Sequence, residues 1–110
     1  MRNAVIGQLV ALLAAGDFEK LVRFAPRSRV SAQQIEAVVK QYGRRLLPLP
    51  ELAFEFIDYI AVHNTTPPEW SVVVPLFSEE EGRSDLSLEL TMLEVNPFNY
   101  EVLVDDIHVL

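Results

Sequence analysis

Apolar and polar positions alternate without a break over residues 85–92, with Leu86, Leu88, Leu90 and Met92 set against Asp85, Ser87, Glu89 and Thr91. A period of two is that of a strand with one buried face, so this stretch predicts the central strand of an antiparallel sheet. Upstream the period is helical. Val5, Leu9, Leu12 and Leu13 define a first helix over 3–15 that Gly16 ends. Asp17 is placed to cap a second helix over 18–25, which Pro26 stops. In "SAQQIEAVVKQYG" Ser31 and Gln34 have the spacing of a capping box, Ile35, Val38, Val39 and Tyr42 form one stripe, and Gly43 supplies a left-handed exit.

Beyond the Pro-rich linker "RRLLPLPE" the pattern shortens. Phe54, Phe56, Asp58, Ile60 and Val62 alternate with more polar neighbours, and their aromatic and β-branched character favours a strand with that set inward, although Leu52, Phe56, Tyr59, Ile60 and His63 also fit a helix. "EWSVVVPLF" reads as a strand buried on both faces and weakened at Pro75, "SEEEGR" as a hairpin loop using Gly82, and "NPFN" as the turn into a last strand over 100–109. Helices over 3–43 followed by a four-stranded antiparallel meander over 52–109 make a single α+β domain of residues 1–110.

Composition narrows the chemistry. Half of the 110 residues are hydrophobic, enough to fill one core, and the absence of cysteine removes disulfides, thiolate catalysis and thiolate zinc sites. The apolar run 4–15 has some look of a secretory signal, but Gln8 interrupts it and it falls short of the roughly 20 residues that cross a bilayer, so a cytoplasmic protein is expected. Charge is divided along the chain: residues 1–50 carry eight basic and three acidic side chains, net +5, and residues 51–110 carry one and thirteen, net −12, which sum to −7. Mutual attraction of the two halves accounts for much of this, and the acid excess disfavours nucleic acid and suits a basic protein partner.

Three groups of residues stand out as candidate sites. Asp106 and His108, two apart on the last strand, share a face with Val102 and Val104 and make an acid and base pair; Asp58, on an alternation expected to be buried, is a candidate general base. Trp70 with Glu79, Glu80, Glu81, Arg83 and Asp85 has the composition of a binding surface for a basic protein. Ile107, Val109 and Leu110 are an apolar strand end suited to self-association as a homodimer. Two histidines with scattered acids give no metal-ligand spacing, and no phosphate loop or nucleophile motif is present, so no metal and no cofactor are expected.

"AAGDFEKLVRFAP" resembles the second-helix signature of NTF2-like, cystatin-like α+β rolls, and "YEVLVDDIHVL" is similar to their last strand. "EGRSDLSLEL" followed by "YEVLVDDIHV" also resembles a small bacterial family of unknown function. The roll resemblance implies helices packed into the curve of a sheet, a last strand whose inward face lines a pocket, and dimers formed through the sheet. Because such rolls host isomerases, dehydratases, hydrolases and binding modules, it leaves function open. Two readings follow. One is a non-catalytic protein-interaction module, in its sharpest form a toxin-neutralising immunity protein. The other is a small-molecule-binding or catalytic roll using Asp58, Asp106 and His108.

Overall fold

A computed structural model describes residues 2–109. In chain order it contains α1 (Arg2–Ala15), α2 (Phe18–Phe24), α3 (Ala32–Tyr42), β1 (Leu46–Leu47), a 3-10 helix (Glu51–Phe56), β2 (Asp58–Val62), β3 (Glu69–Ser78), β4 (Gly82–Asn96) and β5 (Asn99–Val109). The helices are N-terminal and the strands form one curled antiparallel sheet, an α+β arrangement.

The local signals in the helical half act largely as expected. Ser31 Oγ accepts from the Gln34 backbone N–H and the Gln34 side chain accepts from the Ser31 N–H, a complete capping box, and Gly43 leaves α3 in the left-handed region at φ 72°. Asp17 differs from expectation: it precedes α2, but its side chain makes no capping bond. Leu9, Leu21 and Ile35, one from each helix, are fully buried, with Ile6, Val10 and Leu13 beside them. Leu12 and Val38 pack at the margin of the same core.

β1 and β2 pair with opposite ends of β3, Leu46 and Leu47 against Ser78 and Phe77, and Asp58 to Val62 against Val73 to Glu69. Together they form a single interrupted row, followed by β3, β4 and β5, so the expected four-row meander has its first row broken in two. Pro75, which has no N–H to donate, falls in that break and next to a register shift between β3 and β4.

The stretch 52–63 departs from the expected strand. Its first part is the 3-10 helix, and β2 runs with the opposite phase: Ile57 is buried and Tyr59 half-buried, while Phe56, Asp58, Ile60 and Val62 face outward, Ile60 being 59% exposed. Tyr59 fixes this phase, because its hydroxyl donates to Asn3 Oδ1 at 2.6 Å and Arg2 stacks over its ring at 4.3 Å.

On the helix side of the sheet the registered rows are Trp70–Met92–Val102, Val72–Leu90–Val104 and Val74–Leu88–Ile107. All but Trp70 are buried. On the opposite face Ser71 is exposed and Val73 half-buried, so β3 is not buried on both faces along its whole length, although Pro75 farther along that face is buried.

Candidate functional site

The position of the acid and base pair depends on one extra residue. Leu90 faces Val104, yet the neighbouring pair is Glu89 and Asp106, so Asp105 has no counterpart and forms a β-bulge in β5. Past the bulge the strand's faces exchange. Val102, Val104 and Ile107 point to the helices, whereas Asp106 and His108 point out from the open face. The expectation that Asp106 and His108 share the inward face with Val104 is thereby corrected. Asp105 is held where it lies: its carboxylate accepts from Thr91 Oγ1 at 2.6 Å and pairs with Arg29 at 3.2 Å.

Asp58 also lies on the open face and does not join the pair in a cavity. The register runs Asp58–Val73–Glu89–Asp106, three ladder spacings, or about 14 Å between its ends. The residue brought to Asp106 and His108 is Glu89. His108 Nε2 lies 4.0 Å from Glu89 Oε1, and His108 Nδ1 lies 3.1 Å from Asp106 Oδ2. The Nδ1 approach is out of line with a hydrogen bond and leaves that nitrogen buried without a partner. Asp106 Oδ1 accepts from the Ile107 N–H at 2.9 Å. Ser87, directly across the ladder from His108, is 1% exposed, and its hydroxyl has no partner.

Trp70 and the acidic loop do not form one surface, since they lie at opposite ends of the ten-residue β3. Trp70 is half-buried on the helix side with Arg2 stacked on it at 4.7 Å. Arg83 stacks on Phe56 at 4.6 Å, and Asp85 is exposed.

The loop glutamates are engaged within the chain. Glu79 pairs with Arg45 at 3.4 Å, Glu80 accepts from the Arg45 backbone N–H at 2.9 Å, and Glu81 accepts from the Tyr42 and Ser78 hydroxyls, each at 2.8 Å. Ser84 donates to Tyr42 Oη at 2.7 Å, and the Leu86 N–H donates to Ser84, so the network ties the end of α3 to the β3–β4 hairpin. The Tyr42 hydroxyl, followed by that of Ser78, holds the Glu81 carboxyl below its ordinary range, with desolvation acting the other way.

A carboxyl lowered by folding stabilises the native state above its unfolded value, about 4.3 for Glu, and that contribution is lost as pH falls through the folded value. Glu81→Gln is therefore expected to lower the melting temperature at pH 7, with the gap from the parent protein closing as pH is brought below 4. Equal melting temperatures at pH 7 would show that the network does not support the fold.

Of the strand-end residues, Ile107 is 3% exposed and belongs to the core, so it is not available for self-association in the folded chain. Val109 is 55% exposed, and Leu110 lies outside the described residues. The outer edge of β5 is partly covered: the Arg29 N–H donates to Val104 O at 2.9 Å, and the Val104 N–H donates to Ser28 Oγ at 2.8 Å. The charge division along the chain closes on itself here, because Arg27 pairs with Glu101 as Arg29 does with Asp105.

These features define a small α+β domain whose sheet is covered by helices on one face and open, acidic and partly apolar on the other. The chain belongs to the family described as Domain of unknown function (DUF7668), whose pattern matches residues 10–110. No curated protein matches it, and no solved structure does. Among the described residues, no helix is long and apolar enough to cross a membrane.

Proposed function

We propose that the chain is a non-catalytic interaction module that binds a basic protein through its open sheet face, in its sharpest form an immunity protein that neutralises a toxin. The supporting observation is the make-up of that face. Asp58, Glu69, Glu89 and Asp106 project from its strands around the exposed Ile60 and Val62, and Arg83 of β4, on the same alternation as Glu89, is engaged by its stacking on Phe56. Apolar area with an acidic rim suits a partner carrying Lys and Arg, whose approach the excess negative charge accelerates. A catalytic roll has less support, because the inward face that would line its pocket is filled by Leu9, Leu13, Leu21 and Ile35 and the acid and base pair lies on the other side. The NTF2-like roll remains the fold reading we propose, supported by N-terminal helices seated against a curled antiparallel sheet.

Photo-crosslinking in the native cell tests the partner reading. A crosslinker at Ile60 is expected to give a discrete adduct with a protein of basic isoelectric point, lost in Asp58→Lys, while one at the exposed Gln33 of α3 gives none. The purified pair is expected to associate more slowly as salt rises, and the partner to be toxic unless this chain is co-expressed. Adducts only from Gln33, or an association rate indifferent to salt, would overturn the interaction surface; a harmless partner would overturn the immunity role alone.

A further inference from the structure

We infer that Glu89, Asp106 and His108 form a binding site for a divalent transition-metal ion, with Zn2+ the best match. One ligand atom from each lies within 4.8 Å of the other two. Oxygens and nitrogens around a tetrahedral zinc lie about 3.3 Å apart, given bonds of about 2.0 Å, so small side-chain rotations bring the three into range. The trio is an imidazole and two carboxylates, a mixed nitrogen and oxygen set that favours zinc over the all-oxygen preference of Mg2+ and Ca2+.

The backbone already does most of the positioning. Glu89 and Asp106 are direct cross-strand partners, His108 is two residues further along β5 on the same face, and the bulge at Asp105 aligns that face with Glu89. Asp106 Oδ1 is held by the Ile107 N–H, which leaves Oδ2 beside the imidazole. Side-chain exposures of 41% for Glu89, 54% for Asp106 and 35% for His108 leave the site open to an ion from solution.

A second observation points to a ligand at the same place. Two polar atoms of this cluster are buried without partners, His108 Nδ1 and Ser87 Oγ, and Ser87 is His108's neighbour across the ladder on the same face. Buried polar atoms without partners are uncommon in folded proteins and call for an explanation such as an ion or a water. A zinc ion taking His108 Nδ1, with its bound water hydrogen-bonded to Ser87, satisfies both. The inference rests on this trio and not on the partner reading: the metal site requires no protein partner, and the crosslinking test uses positions outside it.

Equilibrium dialysis of the full chain against Zn2+, read by elemental analysis, tests it. One Zn2+ per chain is expected, with affinity lowered at least tenfold by Glu89→Gln, by Asp106→Asn and by His108→Ala, and unchanged by His63→Ala. Ser87→Ala is expected to weaken binding less than any of the three. Circular dichroism of each variant verifies that it is folded. The site would be overturned if no Zn2+ bound at about 100 µM, above the range of divalent-ion sensor sites, if loss followed His63 as much as His108, or if Ca2+ and Mg2+ bound as tightly as Zn2+ with His108→Ala having no effect.

Discussion

Leu88→Ala is expected to destabilise the domain by about 2 to 5 kcal/mol. Leu88 is fully buried and occupies the middle of the row Val74–Leu88–Ile107, so truncation leaves a cavity between two strands and the helices above them. The neighbouring rows are equally closed, with Val72, Leu90 and Val104 all at 0% exposure, and have little room to collapse into the space. Ile60→Ala is the matching control: it removes a comparable side chain from the open face, where Ile60 is 59% exposed, and should change stability by no more than about 0.5 kcal/mol. Urea unfolding of both variants decides the matter. Similar midpoints would mean that the helices do not cover the face assigned to them.

The contrast between those two residues also shows what was legible in the sequence. Leu86, Leu88, Leu90 and Met92 keep strict alternation over four periods, and all four are buried, because a long central strand with neighbours on both sides is held to one phase. Ser31, Gln34 and Gly43 carry their information locally and act as they read. Residues 54–62 offered both phases with apolar side chains, and the choice was made by tertiary contacts of Tyr59 with Asn3 and Arg2, more than fifty residues away in sequence. At the site, "VDDIHV" shows which residues are present but not that one of them is extra. Glu89 was missed as a partner of Asp106 and His108 because it contributes nothing unusual to its own strand. The doubled aspartate before Ile107 was the available signal: strict alternation from Val104 puts Ile107 on the solvent face, and restoring it to the core requires a bulge.

Ile107→Asp is accordingly expected to be far more damaging than any change at Asp105. Deletion of Asp105 removes the extra residue, and strict alternation from Val104 then keeps Asp106 and His108 on the open face and Ile107 towards the helices. Under Ile107→Asp the core loses a side chain that is 3% exposed and receives a charge opposite the buried Leu88. Loss of a large aliphatic side chain costs about 2 to 5 kcal/mol, and burial of unpaired polar groups adds to it. The sum is comparable to the roughly 5 to 15 kcal/mol that holds an ordinary domain together, so the Ile107→Asp variant should be largely unfolded at 37 °C. Asp105→Ala keeps the residue count and with it the bulge. It gives up the hydrogen bond from Thr91 and the ion pair with Arg29, an expected loss of about 1 to 2 kcal/mol, and leaves Ile107 in the core. Both changes at Asp105 bear on the metal site, because replacement and deletion each leave Glu89, Asp106 and His108 on one face and should retain Zn2+ binding. A deletion variant as unstable as Ile107→Asp, or one that folds without binding Zn2+, would show that strand phase alone sets neither the core register nor the geometry of Glu89, Asp106 and His108.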